Sequence, residues 1–507
     1  MSREKKIRRS HPVGIILITL LFIAAEAGLV MLHWFDTKWS TGFQEMLYTM
    51  TSPLKGTGSD ILNLGLRDCL PPMLLMGAAY IIAMVLCCNN RLSRKITRNI
   101  PGRGRTIVRR VLCALAAVML IVDAVYAETS LGVIAYFRAQ GEQTTLYDEY
   151  YVDPQTAGLT QEGTQRNVLW IVMESMETTY ASTEDGGVQS VNQIPALTAL
   201  ASDNLSFSDK TGLGGFRSAF GTGWTMAALF AQMSGIPYTY PIDQNLKNIS
   251  GQYAPGLTTF GDILAEHGYR QVFLCGSDAT FGGRRSFFEQ HGGYEILDLP
   301  AAKEQGYIPE DYYKWWGFED ERLYDIAKRE LTELAASGEP FNLTMLTVDT
   351  HHPYGYACDL CEDDPEDANE HTATVVRCAD RQLQAFIEWV QAQDFYADTT
   401  VIITGDHPRM DTGLTEGVAW EDRTVYNVIL NAAAENHGAT TGRLWTTMDM
   451  LPTALAAMGF TWNGDRLGLG TSMLSGAQTL CEELGWENLN AELKKSSSYY
   501  LQHFANP

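Results

Sequence analysis

Long apolar runs are confined to the first quarter of the chain. They span residues 13–34, 71–88 and 111–137. A helix of about 20 apolar residues crosses the hydrocarbon core of a bilayer, so we predict a membrane module over residues 1–138 with three transmembrane helices. A cleaved signal peptide is the alternative for the first run. Its length, the lack of a small-x-small cleavage site and the two further runs favour a membrane anchor.

After residue 165 the pattern changes to short apolar runs that alternate with stretches of helical periodicity. The runs predict strands at 167–173, 271–274, 341–347, 399–403 and 425–430. The periodic stretches predict helices near 193–203, 224–234, 257–267, 319–336, 371–393 and 446–458. This alternation is typical of an α/β fold with a mostly parallel sheet flanked by helices. Residues 139–165 are polar and predict a linker, and residues 476–507 predict a peripheral C-terminal segment.

The distribution of charge separates the same two parts. Residues 1–140 contain 17 basic and 8 acidic residues, whereas the remainder contains 20 basic and 52 acidic ones. A strongly acidic domain argues against nucleic-acid binding, which needs a positive surface. Basic residues concentrate at 3–9 and 91–110, and such segments stay in the cytoplasm. Everything after residue 138 is therefore predicted to lie outside the cytoplasm.

Two of the predicted strands end in side chains that can bind a metal. The strand at 399–403 leads into Gly405, Asp406 and His407, and the strand at 167–173 leads into Glu174. Ligands of open α/β sheets bind at the carboxyl ends of the strands. Carboxylate oxygens and an imidazole nitrogen suit Mn²⁺ or Zn²⁺. A solvated turn explains Gly-Asp-His equally well when that motif is considered alone.

Thr225 is the best candidate for a nucleophile. It follows the glycine-rich segment 221–224 and precedes an apolar run with helical character. A hydroxyl at a helix N-terminus lies where amide N–H groups favour an alkoxide or a phosphate. A simple N-cap threonine is the alternative role, and Thr222 competes with Thr225 by position.

Several motifs in this order resemble the lipoteichoic acid synthase and phosphoglycerol transferase family of the sulfatase–alkaline phosphatase superfamily. The resemblance covers about residues 165–470 and implies an extracytoplasmic, sulfatase-like catalytic domain at 166–475 in a multi-pass protein of a bacterial cell membrane. The motifs are Glu174-Ser175, Gly-x-x-Thr ending at Thr225, Thr350-His351-His352-Pro353-Tyr354, Gly405-Asp406-His407 and Asp449-Met450-Leu451-Pro452-Thr453.

The resemblance also implies roles for individual residues. His351 corresponds to a histidine close to the transferred phosphate, with a catalytic and substrate-binding role, and Arg284 to a basic residue that contacts substrate. Two positions depart from the family pattern: the family has an aromatic residue near the position of Gly282 and a small hydroxyl residue at the position of Asp411. These departures leave the identity of the acceptor open. A single divalent ion, commonly Mn²⁺ with Zn²⁺ or Mg²⁺ as alternatives, would be surrounded by Glu174, Thr225, Asp406 and His407.

The implied activity is transfer of glycerol phosphate from phosphatidylglycerol to an envelope glycan or glycolipid through a phospho-threonine at Thr225. A phosphoethanolamine transferase, a phosphodiesterase of the same superfamily and an inert envelope-binding protein are the alternatives. Sulfatase activity is disfavoured because the Cys/Ser-x-Pro-x-Arg signature is missing around Thr225.

Five cysteines lie after residue 138, in the part predicted to be outside the cytoplasm, where disulfides persist, and three of them, Cys358, Cys361 and Cys378, are close enough in sequence to suggest a pair. We expect Cys358 or Cys361 to bridge to Cys378, and the sequence does not choose between them. A zinc site built on Cys-x-x-Cys is the alternative, but it lacks a second pair.

Overall fold

The computed structural model describes residues 12–39, 42–51, 59–88, 102–161, 163–239, 254–411 and 413–504. The chain forms two compact units. The first contains residues 1–43 and 59–135, and the second contains residues 44–58 and 136–507. The basic segment 3–9 and the basic residues at 91–98, which support the predicted orientation, lie outside the described residues.

The elements are numbered in chain order. The helices are α1 (Pro12–Trp39), α2 (Phe43–Thr51), α3 (Ser59–Cys88), α4 (Gly102–Leu131), α5 (Val133–Gln140), α6 (Leu146–Tyr150), α7 (Pro195–Asp203), α8 (Thr225–Ser234), α9 (Phe260–Glu266), α10 (Arg284–Gln290), α11 (Leu299–Glu304), α12 (Asp320–Ser337), α13 (Ala368–Gln391), α14 (Met450–Ala457), α15 (Leu480–Leu484), α16 (Trp486–Leu493) and α17 (Ser498–His503). The strands are β1 (Thr160–Gln161), β2 (Asn167–Met173), β3 (Arg270–Cys275), β4 (Glu295–Leu297), β5 (Phe341–Leu346), β6 (Thr399–Gly405), β7 (Asn427–Leu430), β8 (Phe460–Thr461), β9 (Arg466–Leu467) and β10 (Gly470–Thr471).

Three helices of the first unit are long and apolar enough to cross a membrane. Their candidate spans are Val13–Lys38, Asn63–Cys88 and Arg103–Leu131. The second begins earlier than the predicted 71–88, because α3 continues through the proline pair at 71–72. The third predicted run, 111–137, is interrupted where α4 ends at Leu131. Gly132 there adopts a φ of 64°, a left-handed conformation that ends helices.

A six-stranded sheet forms the centre of the second unit. The strand order is β4-β3-β5-β2-β6-β7, and β7 alone among these six runs antiparallel to its neighbour. The central strands β5 and β6 are buried along their whole length, which is the pattern of parallel strands covered on both faces. The predicted α/β class with a mostly parallel sheet is confirmed. The edge strand β4 was not predicted, since it has only three residues.

Amphipathic helices cover the sheet. In α13, the side chains of Leu383, Phe386, Ile387 and Val390 recur at helical spacing and join the main hydrophobic core. Burying each such side chain stabilises the fold by about 1.5–3 kcal/mol. The same helix presents Asp380, whose two carboxylate oxygens accept the first-turn amides of α7 at 3.0 and 2.8 Å.

Much of the predicted linker is packed on the second unit. Leu146 and Tyr147 are buried, the amide of Thr144 donates to the carbonyl of Ser496 at 2.9 Å, and β1 pairs with β8. The C-terminal segment is anchored by buried aromatic and leucine side chains of α16 and α17. The polar composition of the linker and the C-terminal segment does not predict this packing, because only a few large side chains make the contacts.

Candidate active site

The ends of two adjacent strands bring the predicted metal-binding residues together. β2 and β6 are parallel neighbours, and Met173 pairs with Gly405 at their last position. Glu174 and Asp406 therefore leave the sheet side by side. Position 405 requires glycine, since a Cβ there would lie 2.1 Å from the carbonyl oxygen of Met176.

The four residues expected around one ion converge in the structure. Glu174, Asp406 and His407 are buried and offer ligand atoms that all lie within 4.8 Å of one another. The Thr225 hydroxyl donates to Glu174 Oε2 at 3.2 Å and lies 3.4 Å from His407 Nε2. His407 Nε2 is 3.3 Å from Asp406 Oδ2. Thr225 begins α8, so its hydroxyl lies beside a helix N-terminus as predicted.

Hydrogen bonding orients this cluster for a cation. Asp406 Oδ1 accepts the amides of Ser175 and His407 at 2.7 and 2.8 Å, whereas buried Oδ2 has no partner among the described residues. His407 Nδ1 lies 2.8 Å from the carbonyl oxygen of Pro408. A carbonyl only accepts, so Nδ1 carries the proton and Nε2 presents a lone pair to the cluster. Two carboxylates, an imidazole and a hydroxyl fit Mn²⁺ or Zn²⁺.

The electrostatics of the cluster also fit a cation. Burial, assisted by the charge of Glu174, raises the pKa of Asp406 from 3.8 to about 7. Burial acts in the same direction on Glu174, but the neighbouring imidazoles of His351 and His407 and the hydrogen bonds from Ser175 and Thr225 hold the pKa of that carboxyl below its ordinary value. Two buried carboxylates this close repel each other, and a divalent ion between them would remove the repulsion.

His351 is held beside the cluster. The hydroxyl of Thr350 donates to the carbonyl of Glu174 at 2.5 Å. This hydrogen bond connects the loop that contains His351 to the end of β2. His351 Nδ1 lies 2.5 Å from the carbonyl oxygen of His352, and its ring is 4.8 Å from the ring of Trp316. Burial lowers the pKa of His351, although the charge of Glu174 opposes this. The imidazole is therefore neutral at pH 7, with Nε2 as its basic atom.

The other candidates lie in different surroundings. The guanidinium of Arg284 donates to its own loop, to the carbonyl oxygens of Phe281 and Asp278 and to the hydroxyl of Ser277. Among the described residues, no hydrogen bond joins this guanidinium to the cluster, so substrate binding by Arg284 stays a prediction. Thr222, the competing nucleophile, donates to the carbonyl of Ala219 and accepts from Thr447. The structure brings Thr225 to the cluster instead.

A buried charge network supports the site and was not anticipated. Arg423 donates to Glu177 and to the carbonyl of Arg409. Arg409 in turn donates to Asp411 at 2.6 Å and to the carbonyl of Thr350 at 2.8 Å. These bonds connect the loops that carry Glu174, His351 and His407. The available signal in the sequence was Arg409, a cationic residue two positions after His407.

The network also explains one departure from the family pattern. The Asp411 carboxylate accepts Arg409 Nε and, at 3.3 Å, the amide of Tyr354. Burial alone would raise the pKa of Asp411, but the charge of Arg409 holds it below its ordinary value. Asp411 thus serves to hold the loop.

A model of the family described as "Sulfatase" matches residues 166–460. The chain belongs to the sulfatase family. Phosphoglycerol transferase I of Xanthomonas campestris pv. campestris (strain B100) is 27% identical to this sulfatase-family protein over 396 residues, which are 76% of this chain and 53% of the relative. The protein of the same name from Escherichia coli O139:H28 is 31% identical over 332 residues, 64% of this chain and 41% of the relative. The chain spans about half the length of these curated relatives.

The solved structure of one membrane enzyme shows the same fold. The lipooligosaccharide phosphoethanolamine transferase EptA of Neisseria meningitidis matches this sulfatase-family protein with a TM-score of 0.51 and 15% identity, over 93% of this chain and 88% of that one. The lipoteichoic acid synthase LtaP of Listeria monocytogenes matches with a TM-score of 0.49 and 18% identity, over 65% and 81%. The resemblance to the sulfatase–alkaline phosphatase superfamily that the motifs predicted is confirmed.

Proposed function

We propose that this protein is a membrane-anchored phosphoglycerol transferase that moves glycerol phosphate from phosphatidylglycerol to an envelope glycan or glycolipid. The observation that carries the proposal is the position of the Thr225 hydroxyl, 3.2 Å from Glu174 and 3.4 Å from His407 at a helix N-terminus. The name of the matched relatives, phosphoglycerol transferase I, supports this choice of head group.

The chemistry follows from the residues around that hydroxyl. Mn²⁺, or Zn²⁺ or Mg²⁺, held by Glu174, Thr225, Asp406 and His407 would lower the hydroxyl pKa and offset the phosphate charge. The Thr225 oxygen forms a bond to phosphorus while the bond from phosphorus to the diacylglycerol oxygen breaks. The proton of the Thr225 hydroxyl passes to the oxygen of the departing diacylglycerol, and the first-turn amides of α8 lie where they would stabilise the phosphate charge. An acceptor hydroxyl then attacks phosphorus and releases Thr225.

His351 is suited to move the proton of the acceptor. Its Nδ1 proton is committed to the carbonyl of His352, so Nε2 is the atom that accepts a proton from a hydroxyl. The lowered pKa keeps that atom unprotonated at neutral pH. Contact with the ring of Trp316 restricts the imidazole to one orientation.

Packing within the second unit supports the placement of residues 44–51 and the catalytic domain on the same side of the membrane. Residues 44–51, which follow the first candidate span, belong to the same unit as the catalytic domain. Gln44 donates to the carbonyl of Tyr238 at 2.9 Å, and Tyr48 donates to the carbonyl of Gly282. The loop after the first span and the chain after the third must then share one side of the membrane. Three spans satisfy this in either orientation, and the basic residues at 3–9 and 91–110 favour the orientation in which that side is extracytoplasmic.

Intact-mass and peptide analysis of the full chain after incubation with phosphatidylglycerol tests the proposal. We expect a glycerophosphate adduct on Thr225 that is absent from a Thr225→Ala variant and disappears when an acceptor is added. A phosphoethanolamine adduct formed from phosphatidylethanolamine would instead identify the protein as a phosphoethanolamine transferase. Release of free glycerophosphate with no transfer to any acceptor would identify a phosphodiesterase. If neither an adduct nor lipid turnover is found, the remaining hypothesis is the inert envelope-binding protein.

A further inference from the structure

Three cysteine side chains lie together beside the loop that carries His351. Cys358 and Cys361 follow that loop, and Cys378 lies in α13. The Sγ atom of Cys358 is 3.9 Å from that of Cys361 and 3.8 Å from that of Cys378. All three Sγ atoms lie within 4.8 Å of one another. The expectation of one disulfide accounts for only two of them.

The separation of the sulfur atoms matches ligands around one ion. Zinc binds thiolate sulfur at about 2.3 Å, and two such ligands at a tetrahedral angle are about 3.8 Å apart. A disulfide needs a separation of about 2.0 Å. Cys358 would have to approach either Cys361 or Cys378 by about 2 Å to reach that separation, and the third thiol would be left unused. A single ion explains the position of all three atoms.

The surroundings suit thiolate ligands. Cys358 and Cys378 are buried, and Cys361 is half-buried. The Nε2 atom of Gln382 lies 3.5 Å from Cys358 Sγ and 3.4 Å from Cys378 Sγ, where an N–H group offsets thiolate charge. The buried Oε1 atom of Gln382 has no partner in the part of the chain that the structure describes. Rotation of the amide would offer this oxygen as a fourth ligand, and water can reach the open side of Cys361.

We propose that Cys358, Cys361 and Cys378 bind Zn²⁺ as three thiolates in a structural site separate from the catalytic cluster. Binding releases three thiol protons and leaves a complex of charge −1 before any fourth ligand. The two sites select different metals, because soft sulfur donors favour zinc whereas the carboxylate-rich cluster accepts harder ions. The zinc ion connects the segment after His351 to α13. The proposal of this zinc site does not depend on the proposed transferase activity.

Zinc content and thiol protection of the full chain in detergent test this site. The background is a Glu174→Ala/Asp406→Ala variant, which removes both carboxylates from the catalytic cluster. We expect about one zinc per chain by mass spectrometry of the metal, falling to below about a tenth in a further Cys378→Ser variant. Cys481→Ser, which replaces a buried cysteine elsewhere, is the matched control and should retain the zinc.

Alkylation of the unmutated chain decides the question if Cys378→Ser fails to fold. In the zinc form, peptides containing the three cysteines resist iodoacetamide until a chelator is added, and hydrogen exchange across residues 350–361 then accelerates. The proposal would be overturned by a disulfide. A disulfide would be shown if a reductant, and not a chelator, made the cysteines reactive, and if the mass of the untreated chain were lower by two hydrogen atoms. Immediate alkylation without chelator, or zinc retained in Cys378→Ser, would overturn it as well.

Discussion

Replacing Asp406 by asparagine should stabilise the metal-stripped protein and abolish its stabilisation by metal. Asparagine keeps Oδ1, which accepts the amides of Ser175 and His407. It replaces Oδ2, the oxygen without a partner among the described residues, by a neutral amide group. The substitution therefore removes the buried charge with little change of shape.

The magnitude follows from the raised pKa of Asp406, about 7 against an ordinary 3.8. Because the folded-state pKa is raised, the neutral carboxyl contributes stability that is complete below about pH 4 and is lost as the pH rises through about 7. At about 1.4 kcal/mol for each pKa unit, the charged group costs up to about 4 kcal/mol at pH 8. For a unit of this size, 1 kcal/mol corresponds to roughly 1.5 °C of melting temperature. The Asp406→Asn substitution should raise the melting temperature by roughly 3–6 °C.

The assay is thermal unfolding of the full chain in detergent, followed by tryptophan fluorescence at pH 8 with a chelator and then with added Mn²⁺. A metal present at about 100 times its Kd stabilises the unmutated chain by about 2.7 kcal/mol, whereas Asp406→Asn should respond weakly. Near pH 4 in chelator, the two proteins should melt at nearly the same temperature. Equal responses to Mn²⁺, or a less stable variant in chelator at pH 8, would refute the reasoning.

The remaining predictions concern single side chains. Thr225→Ala should lower head-group transfer from labelled lipid by at least about 10³-fold, whereas Thr222→Ala should leave transfer within a few fold and cost about 1 kcal/mol from its lost hydrogen bonds. Arg409→Met should cost about 3–5 kcal/mol in denaturant unfolding, because it removes the buried cation that pairs with the half-buried Asp411 and bonds the carbonyl of Thr350. Asp380→Ala should cost about 1–3 kcal/mol by leaving two first-turn amides of α7 uncapped, and Asp380→Asn, which keeps one acceptor, should cost about half as much.

Each of these has a result that contradicts it. Transfer that survives in Thr225→Ala but fails in Thr222→Ala would exchange the roles of the two threonines. Unchanged stability of Arg409→Met would mean that the network linking the three site loops is not a stabilising feature. Equal stability of Asp380→Ala and the unmutated chain would show that α7 needs no tertiary cap.

The candidate metal-binding cluster could be predicted because its position follows from local rules. Buried β-branched runs predict strands, and parallel strands deliver the residues after them to one edge of the sheet. Glu174 and the Asp406–His407 pair are separated by more than 200 residues, yet both follow such strands. The glycine-rich entry to an apolar helix similarly predicted the position of Thr225.

Other features depend on contacts that no local pattern contains. The guanidinium of Arg284 turns towards its own loop, where the hydroxyl of Ser277 and the carbonyls of Phe281 and Asp278 accept its hydrogen bonds. The network from Glu177 to Arg409 joins segments far apart in the chain. Residues 142–161 look like a linker because only a few aromatic and aliphatic side chains anchor them.

The amino-acid sequence by itself determined the division into an apolar N-terminal part and an α/β domain, and which residue types end its strands. Periodicity and chain direction suffice for this, because they act through neighbouring residues. The tertiary structure alone decided that Cys378 joins Cys358 and Cys361 in one group, and that Asp406 keeps one oxygen directed into the cluster. Those outcomes depend on the packing of distant segments against each other, which sets distances that spacing along the chain does not.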